Sequence, residues 1–238
     1  MDNNTLQIKV KERLNKLGSF DYDNIECWQI AEAFNKAQIE WVRRQIHVSV
    51  HTGNVRGGDS DESSKMQIDD VQNLLVPKNM TSFKKDLYYE TELLPTDYLY
   101  FKRVSVKAKN NCCPARKMTV YLEEVANVDV MLSGEFTKPS FEWGETFCTL
   151  QGNRVRIYTD NEFDIETPEL TYYRKPRQVK FAGCVELETG NPITTNVTCE
   201  FKDDIAELIL ESAVAILAGD MESIIQYQKS KSEAQTNE

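Results

Sequence analysis

Residues 146–159 of the chain, TFCTLQGNRVRIYT, contain the clearest local signal for the fold. Apolar and polar residues alternate on both sides of the pair Gly152-Asn153. A Gly-Asn pair between two alternating runs is typical of a β-hairpin. The stretch therefore predicts strands over Thr146–Leu150 and Arg154–Thr159, joined by a tight turn.

The hairpin belongs to a longer β-rich region, from Asp86 to about Glu200. Short runs rich in β-branched and aromatic residues recur there, and turn residues separate them. The clearest predicted strands are Leu99–Ala108, Lys117–Leu122, Thr146–Leu150, Arg154–Thr159 and Leu170–Arg174. The middle of the chain is therefore expected to form a sheet.

Helical spacing of apolar side chains predicts helices on both sides of the β-rich region. The second helix has the strongest pattern, because Asp23 and Glu26 form a capping box before it and two tryptophans lie on or near one face. A polar, glycine-containing stretch at 51–64 predicts a mobile loop before the third helix, which Pro77 is expected to end. The predicted helices cover residues 5–17, 24–45, 64–76 and 202–226.

This order of elements predicts an α+β protein in which terminal α-helices form a bundle and a mostly antiparallel β region is inserted between them. The second helix and the C-terminal helix are expected to pack on each other, since each has a wide apolar stripe. The predicted parts are the N-terminal helices with the mobile loop at 1–80, the β-rich domain at 81–200, and the C-terminal helix with a frayed tail at 201–238.

The composition limits the classes of function. Because 38 acidic residues outnumber 28 basic ones, the net charge is −10, and binding of nucleic acid through overall charge is not expected. No apolar run approaches the ~20 residues of a membrane-spanning helix. Residues 1–5 lack a signal-peptide pattern, so we expect synthesis in the cytoplasm. The six cysteines are scattered, which predicts reduced thiols.

The sequence contains no recognisable motif for catalysis or for a cofactor. A glycine-rich phosphate loop is missing. His47 and His51 lack the intervening Glu of a zinc-protease helix, and the pair Cys112-Cys113 has no Cys-x-x-Cys partner. We therefore predict no catalytic residue, no metal and no cofactor. An enzyme with an unrecognised site is the competing hypothesis.

Two stretches carry only basic charge, with six cations at 98–122 and four at 170–180. One interpretation is that they are solvated strand faces. The other is that they meet acidic surfaces on neighbouring copies or line a passage for DNA. The cations are Lys102, Arg103, Lys107, Lys109, Arg116 and Lys117 in the first stretch, and Arg174, Lys175, Arg177 and Lys180 in the second.

Several stretches, taken in order, resemble the head-to-tail connector, or ring, proteins of crAss-like bacteriophages. Their order is also similar to that of the wider adaptor family of short-tailed phages, the tail tubular protein A type. In that family a Leu-Pro-x-Asp strand entry leads into a sheet inserted between the helices of a bundle. The stretches are Glu26–Arg44, Leu93–Val106, Gln151–Thr159, Leu170–Pro176 and Glu200–Asp220. The loop at 51–64 and the segment 125–145 match no pattern of the family.

The resemblance implies a structural virion protein at the head-tail junction or in the tail. It implies a dodecameric ring beneath the portal that lines the channel through which the genome leaves the capsid. The implied partners are further copies of the chain, the portal protein, neighbouring tail or ring proteins, and genomic DNA that passes without sequence-specific binding. Another ring or tail-tube protein of the same virion is the alternative.

One segment has the composition of a contact site between subunits. It is a strand that ends in a proline-bounded basic turn, and its Tyr and Arg residues are of the types enriched at interface hot spots. We predict an inter-subunit or ring-to-ring interface there, against an acidic surface. An ordinary solvated turn is the alternative. The segment consists of Tyr172, Tyr173, Arg174, Lys175, Pro176 and Arg177.

Overall fold

The computed structural model describes residues 1–17, 25–52, 69–110, 113–186 and 189–220. The chain divides into two compact units. The sheet unit comprises Asn73–Lys175, and the helical unit comprises Met1–Gln72 together with Pro176–Glu238. The helical unit is therefore built from the two ends of the chain.

The helices and strands have the following bounds. Helices α1 to α4 are Asn3–Leu17, Cys27–Thr52, Val128–Ser133 and Asp203–Asp220, and short 3-10 turns cover Gln72–Leu74 and Val125–Asn127. Strands β1 to β9 are Leu75–Asn79, Ser82–Lys84, Tyr88–Thr91, Tyr98–Asn110, Cys113–Leu122, Glu145–Gln151, Arg154–Tyr158, Asp164–Ile165 and Glu169–Arg174. The five strands that the sequence predicted most clearly are all present, so those local predictions are confirmed.

The nine strands form one sheet, in the order β1-β9-β4-β5-β6-β7-β3-β2, and β8 pairs with β4. The sheet curls because its two longest strands each pair with different neighbours along their length. The first half of β4 pairs with β9, and its second half pairs with β5 and β8. The last four residues of β5 pair with β6. Twist accumulates along this path, and register shifts within β4 add to it.

The hairpin predicted from residues 146–159 is confirmed. Strands β6 and β7 are antiparallel, with Gln151 opposite Arg154. The two residues between them, Gly152 and Asn153, have φ angles of +59° and +61°. A two-residue hairpin turn of this kind needs positive φ at both central positions, and Gly and Asn tolerate that region best. The Gly-Asn pair therefore explains the register of the hairpin.

The third predicted helix is too long at its C-terminal end. Residues 69–71 are helical, but a 3-10 turn follows and β1 begins at Leu75. Pro77 lies inside β1, opposite Thr171 of β9, and β1 is an edge strand. Proline lacks an N–H group, and an edge strand tolerates this because one side of it has no partner strand. Residues 53–68, which include most of the predicted mobile loop, lie outside the described residues, as do 221–226 of the predicted C-terminal helix.

In the helical unit, α4 packs against both α1 and α2. The side chains that they bury include Leu6 of α1, Phe34 of α2, and Ile209 and Leu210 of α4. The predicted contact between the second helix and the C-terminal helix is therefore present. Arg13 of α1 adds ion pairs to α4, at 2.6 Å from Glu207 and 3.4 Å from Glu211.

The fold class predicted from the sequence is nevertheless wrong. The sheet unit is one curled, mixed sheet, and it is not a mostly antiparallel region inserted between the helices of a terminal bundle. Helices α1, α2 and α4 belong to the other compact unit. The sequence predicted only one strand pairing, the hairpin at 146–159, within a mostly antiparallel region. In the structure, β1 pairs with β9 from the other end of the sheet unit, and β5 pairs with β6 in parallel. The β-rich region is also shorter than predicted, because its last strand ends at Arg174.

The expectation of reduced cysteines is wrong for one pair. Cys27, at the start of α2, forms a disulfide with Cys184, and 157 positions of sequence separate the two. Both residues belong to the helical unit. Cys148 and Cys199 are buried thiols, and burial raises the pKa of the Cys148 thiol to about 12. Cys112 lies outside the described residues.

Candidate interaction surface

The segment predicted as an interface begins on β9, where both of its tyrosines are buried. Tyr172 is only 3% exposed, and its ring stacks on Tyr98 with 5.7 Å between the ring centres. Its hydroxyl donates a hydrogen bond to Asp97 Oδ1 at 2.9 Å. Burial, assisted by this hydrogen bond, raises the pKa of Tyr172 to about 12. Tyr172 is therefore a neutral core residue of the sheet unit.

Tyr173 and Arg174 also have contacts within the sheet unit. Tyr173 is buried, with Lys102 Nζ at 5.9 Å from its ring centre. Arg174 is half-buried and donates to the carbonyl oxygens of Lys175 at 3.1 Å and of Asn73 at 3.4 Å. These contacts hold the end of β9 in place. The side chain of Lys175 itself is exposed.

In the helical unit, Pro176 is buried and Arg177 is exposed. The backbone N–H of Arg177 donates to Glu200 Oε1 at 2.8 Å, and its Nε lies 3.8 Å from Glu200 Oε2. Of the six residues predicted as an interface, Lys175 and Arg177 are thus the two with exposed side chains. An interface at this segment stays a prediction. Its two tyrosines are buried inside the sheet unit, so they are not available to a partner.

Replacing Lys175 and Arg177 together by glutamate is expected to change the free energy of unfolding by less than about 1 kcal/mol, because exposed charges contribute little to stability. If the segment meets an acidic partner surface, the same double variant should assemble poorly through like-charge repulsion. Thermal unfolding and assembly, measured on one preparation, check both parts. Normal assembly would identify the segment as an ordinary solvated turn.

A different part of the sheet unit exposes much more apolar surface. Six of the twelve large apolar residues that are exposed among the described residues lie between Tyr121 and Trp143. They begin at the end of β5 and continue through the crossover, which we define as residues 123–144 between β5 and β6. Phe136 is 87% exposed and Trp143 is 73% exposed. The six are Tyr121, Leu122, Val125, Val130, Phe136 and Trp143.

The crossover does not bury apolar residues in the way that such connections usually do. A connection between parallel strands normally covers a face of the sheet with an apolar helix face. Here neither α3 nor the 3-10 turn before it contains a buried residue. Val130 of α3 is 69% exposed. Val125, Val130, Phe136 and Trp143 of the crossover are therefore available to another molecule.

The turns that carry Phe136 and Trp143 are hydrogen-bonded within the chain. Thr137 Oγ1 donates to the carbonyl oxygen of Met131 at 3.0 Å, next to Phe136. The backbone N–H of Trp143 donates to Ser140 Oγ at 3.3 Å. Ser140 and Glu145 form a β-bridge around this second turn. The fold therefore displays both aromatic side chains on ordered backbone.

Arg116 of β5 forms hydrogen bonds to the turn that carries Trp143. Its Nη1 donates to the carbonyl oxygens of Phe141 at 3.1 Å and Glu142 at 3.0 Å. Its guanidinium also lies 5.8 Å from the ring centre of Phe141, and that ring is buried. Gly144 follows with a φ angle of +73°, and a Cβ there would lie 2.6 Å from Arg116 Nη2. Trp143 therefore lies on a turn that the buried ring of Phe141 and the hydrogen bonds of Arg116 hold in place.

Charge is separated between the crossover and the strands before it. We define the basic hairpin as β4 and β5, residues 98–122, which hold six cations and no acid. The crossover holds five acidic residues and one lysine. Among the described residues, none of these cations and acids forms an ion pair with another side chain of the chain. The acids are Glu123, Glu124, Asp129, Glu135 and Glu142.

No protein-family model matches the chain, and no curated protein matches it. Among the described residues, no cluster of three or more His, Cys, Asp or Glu side chains is arranged to hold a metal ion. No described helix is both long enough and apolar enough to cross a membrane. The functional interpretation therefore rests on the interaction surface and on the sequence resemblance.

Proposed function

We propose that the chain is a structural virion protein that assembles into a closed ring in the head-to-tail connector, below the portal. The observation that carries this proposal is the crossover, where exposed aromatic side chains lie on ordered turns. Large exposed apolar groups of this kind usually mark a surface that becomes covered on assembly. The sequence resemblance supplies the dodecameric ring, the contacts with the portal protein and neighbouring tail or ring proteins, and the position around the DNA exit channel.

Charge supports the proposal in two ways. A ring of identical subunits needs two different surfaces that complement each other, and the acidic crossover and the basic hairpin have opposite charge. A net charge of −10 also suits the wall of a DNA channel, because a strongly basic wall would bind phosphates and slow the passage of the genome. Genomic DNA is therefore a passing partner and is not bound by sequence.

The experiment is electron cryo-microscopy of the particle and of the purified chain. We expect a ring of identical subunits on the axis between capsid and tail, with density for this chain around the channel. A ring farther along the axis would identify the chain as another ring or tail-tube protein of the virion. An isolated monomer in the particle, or no density for the chain at all, would contradict the proposal.

A further inference from the structure

We propose that the crossover of one subunit docks on the basic hairpin of a second copy of the chain. This inference rests on the proposed function and names the interface that closes the ring. It is a heterologous contact, since two different surfaces meet, and repetition of such a contact around an axis generates a ring. Phe136 and Trp143 are its apolar anchors, and Glu135 and Glu142 are their neighbours in the sequence.

The apolar anchors are large enough to matter. Aromatic side chains bury about 150–250 Å² each, so Phe136 and Trp143 together supply a substantial part of the ~800 Å² that each partner buries in a standard interface. Their turns are already ordered by Thr137, by Ser140 and by Arg116 of the same subunit. Little conformational entropy is therefore lost when a partner covers them. Rigid aromatic groups of this kind are typical interface hot spots.

The basic hairpin has the chemistry that complements the crossover. Lys107 lies directly opposite Lys117 in the β4–β5 pairing, and Glu166 and Glu169 of the same subunit line a pocket with these two lysines. Residues 113–117 at the start of β5 are all exposed. The aliphatic stems of lysine can cover aromatic rings, and their ammonium groups can lie over a tryptophan face. The crossover of a second copy brings further acids, together with the tryptophan, to this surface.

A second copy of the chain is favoured over DNA as the occupant of the basic hairpin. DNA would pair with the cations but would leave Phe136 and Trp143 exposed. A second copy accounts for both surfaces with one contact. Every subunit carries one crossover and one basic hairpin, so the two surfaces are present in equal number.

The first test removes the apolar anchors. Phe136→Ser combined with Trp143→Ser is expected to weaken self-association at least about 30-fold, as measured by sedimentation velocity over a range of protein concentrations. Phe83→Ser is the matched control, because Phe83 is an exposed aromatic residue on β2 of the same unit, 54% exposed, and lies outside both surfaces. It should associate like wild type. Circular dichroism should show wild-type folding for both variants, since the replaced side chains are exposed.

The second test reverses charge on each surface. One variant replaces four cations of the basic hairpin by glutamate, which changes the net charge of the hairpin from +6 to −2. The other replaces three glutamates of the crossover by lysine, which changes the net charge of the crossover from −4 to +2. Each variant alone presents like charges at the contact and should associate poorly. An equimolar mixture should recover association, because each crossover then meets a hairpin of opposite charge. The substitutions are Arg103→Glu, Lys107→Glu, Lys109→Glu and Lys117→Glu in one variant, and Glu124→Lys, Glu135→Lys and Glu142→Lys in the other.

The outcomes separate this interface from the proposed function. If wild type forms rings and the Phe136→Ser, Trp143→Ser variant forms them equally well, the interface is wrong and the proposed function stands. If the mixture recovers association but only two-fold dimers form, the pairing stands and the ring is wrong. If wild type does not associate at its highest soluble concentration, the interface is wrong, and the images of the particle alone decide the proposed function. If hairpin reversal abolishes binding of duplex DNA and leaves association unchanged, the hairpin is a DNA surface and the inference is overturned.

Discussion

Replacing Tyr172 by alanine is expected to lower the free energy of unfolding by about 3–5 kcal/mol, the usual cost of removing a buried aromatic side chain. Tyr172 is 3% exposed on β9, between β1 and β4, and belongs to the main apolar cluster of the sheet unit. The substitution removes its stacking on Tyr98 and leaves a cavity in that cluster. Urea unfolding monitored by circular dichroism measures the loss.

Tyr172→Phe is the matched control for this prediction. It keeps the ring and removes only the hydrogen bond to Asp97, so the expected cost is about 1–2 kcal/mol. Both variants should therefore lower the free energy of unfolding. Tyr172→Ala should lower it more, because it leaves a cavity. An alanine variant as stable as wild type but defective in assembly would show that Tyr172 belongs to an interface and is not a core residue.

The strands could be predicted from the sequence because their signals are local. The Gly152-Asn153 turn needs only its own backbone preferences and the alternation on either side of it. The order of the strands depends on contacts between distant parts of the chain. Nothing in the β5 sequence indicates that its last four residues pair in parallel with β6, because that pairing depends on where the crossover returns. The predicted fold class is wrong because the order and the direction of the strand pairings could not be predicted.

The interface segment shows the same limit at the level of single residues. Tyr172 and Tyr173 have the composition of a contact site, but β9 lies inside the sheet between β1 and β4, and both tyrosines are buried there. Because the sequence predicted a helix up to Pro77, it predicted no strand on that side of β9. Burial of the tyrosines could be recognised only once β1 was known to pair with β9.

The crossover was missed for a different reason. Residues 125–145 have neither a strand alternation nor a sustained helical period, so the sequence predicts no helix or strand there. The available signal was compositional: Phe136 and Trp143 lie in a stretch with five acids, and glycine and proline lie between or beside them. Large aromatic groups in a short acidic connection have no obvious place in a core. Only the exposures in the structure show that they face outward.

The disulfide between Cys27 and Cys184 could not be predicted from spacing, because 157 positions separate the two residues. It joins the start of α2 to the segment that leads toward α4, so it links the two chain ends that form the helical unit. Breaking it is expected to lower the free energy of unfolding of that unit by about 2–5 kcal/mol, toward the upper end because the closed loop is long. Urea unfolding with and without dithiothreitol measures the difference.

A double variant with serine at both positions is the control for the disulfide prediction. Cys27→Ser with Cys184→Ser should unfold at the same urea concentration as reduced wild type, and dithiothreitol should have no further effect on it. This agreement would show that the other cysteines do not contribute to the effect of dithiothreitol, since Cys148 and Cys199 remain unchanged in both proteins. Alkylation followed by mass spectrometry should find Cys27 and Cys184 protected in the oxidised wild type. If reductant shifts wild type and the double variant equally, the bond does not stabilise the helical unit.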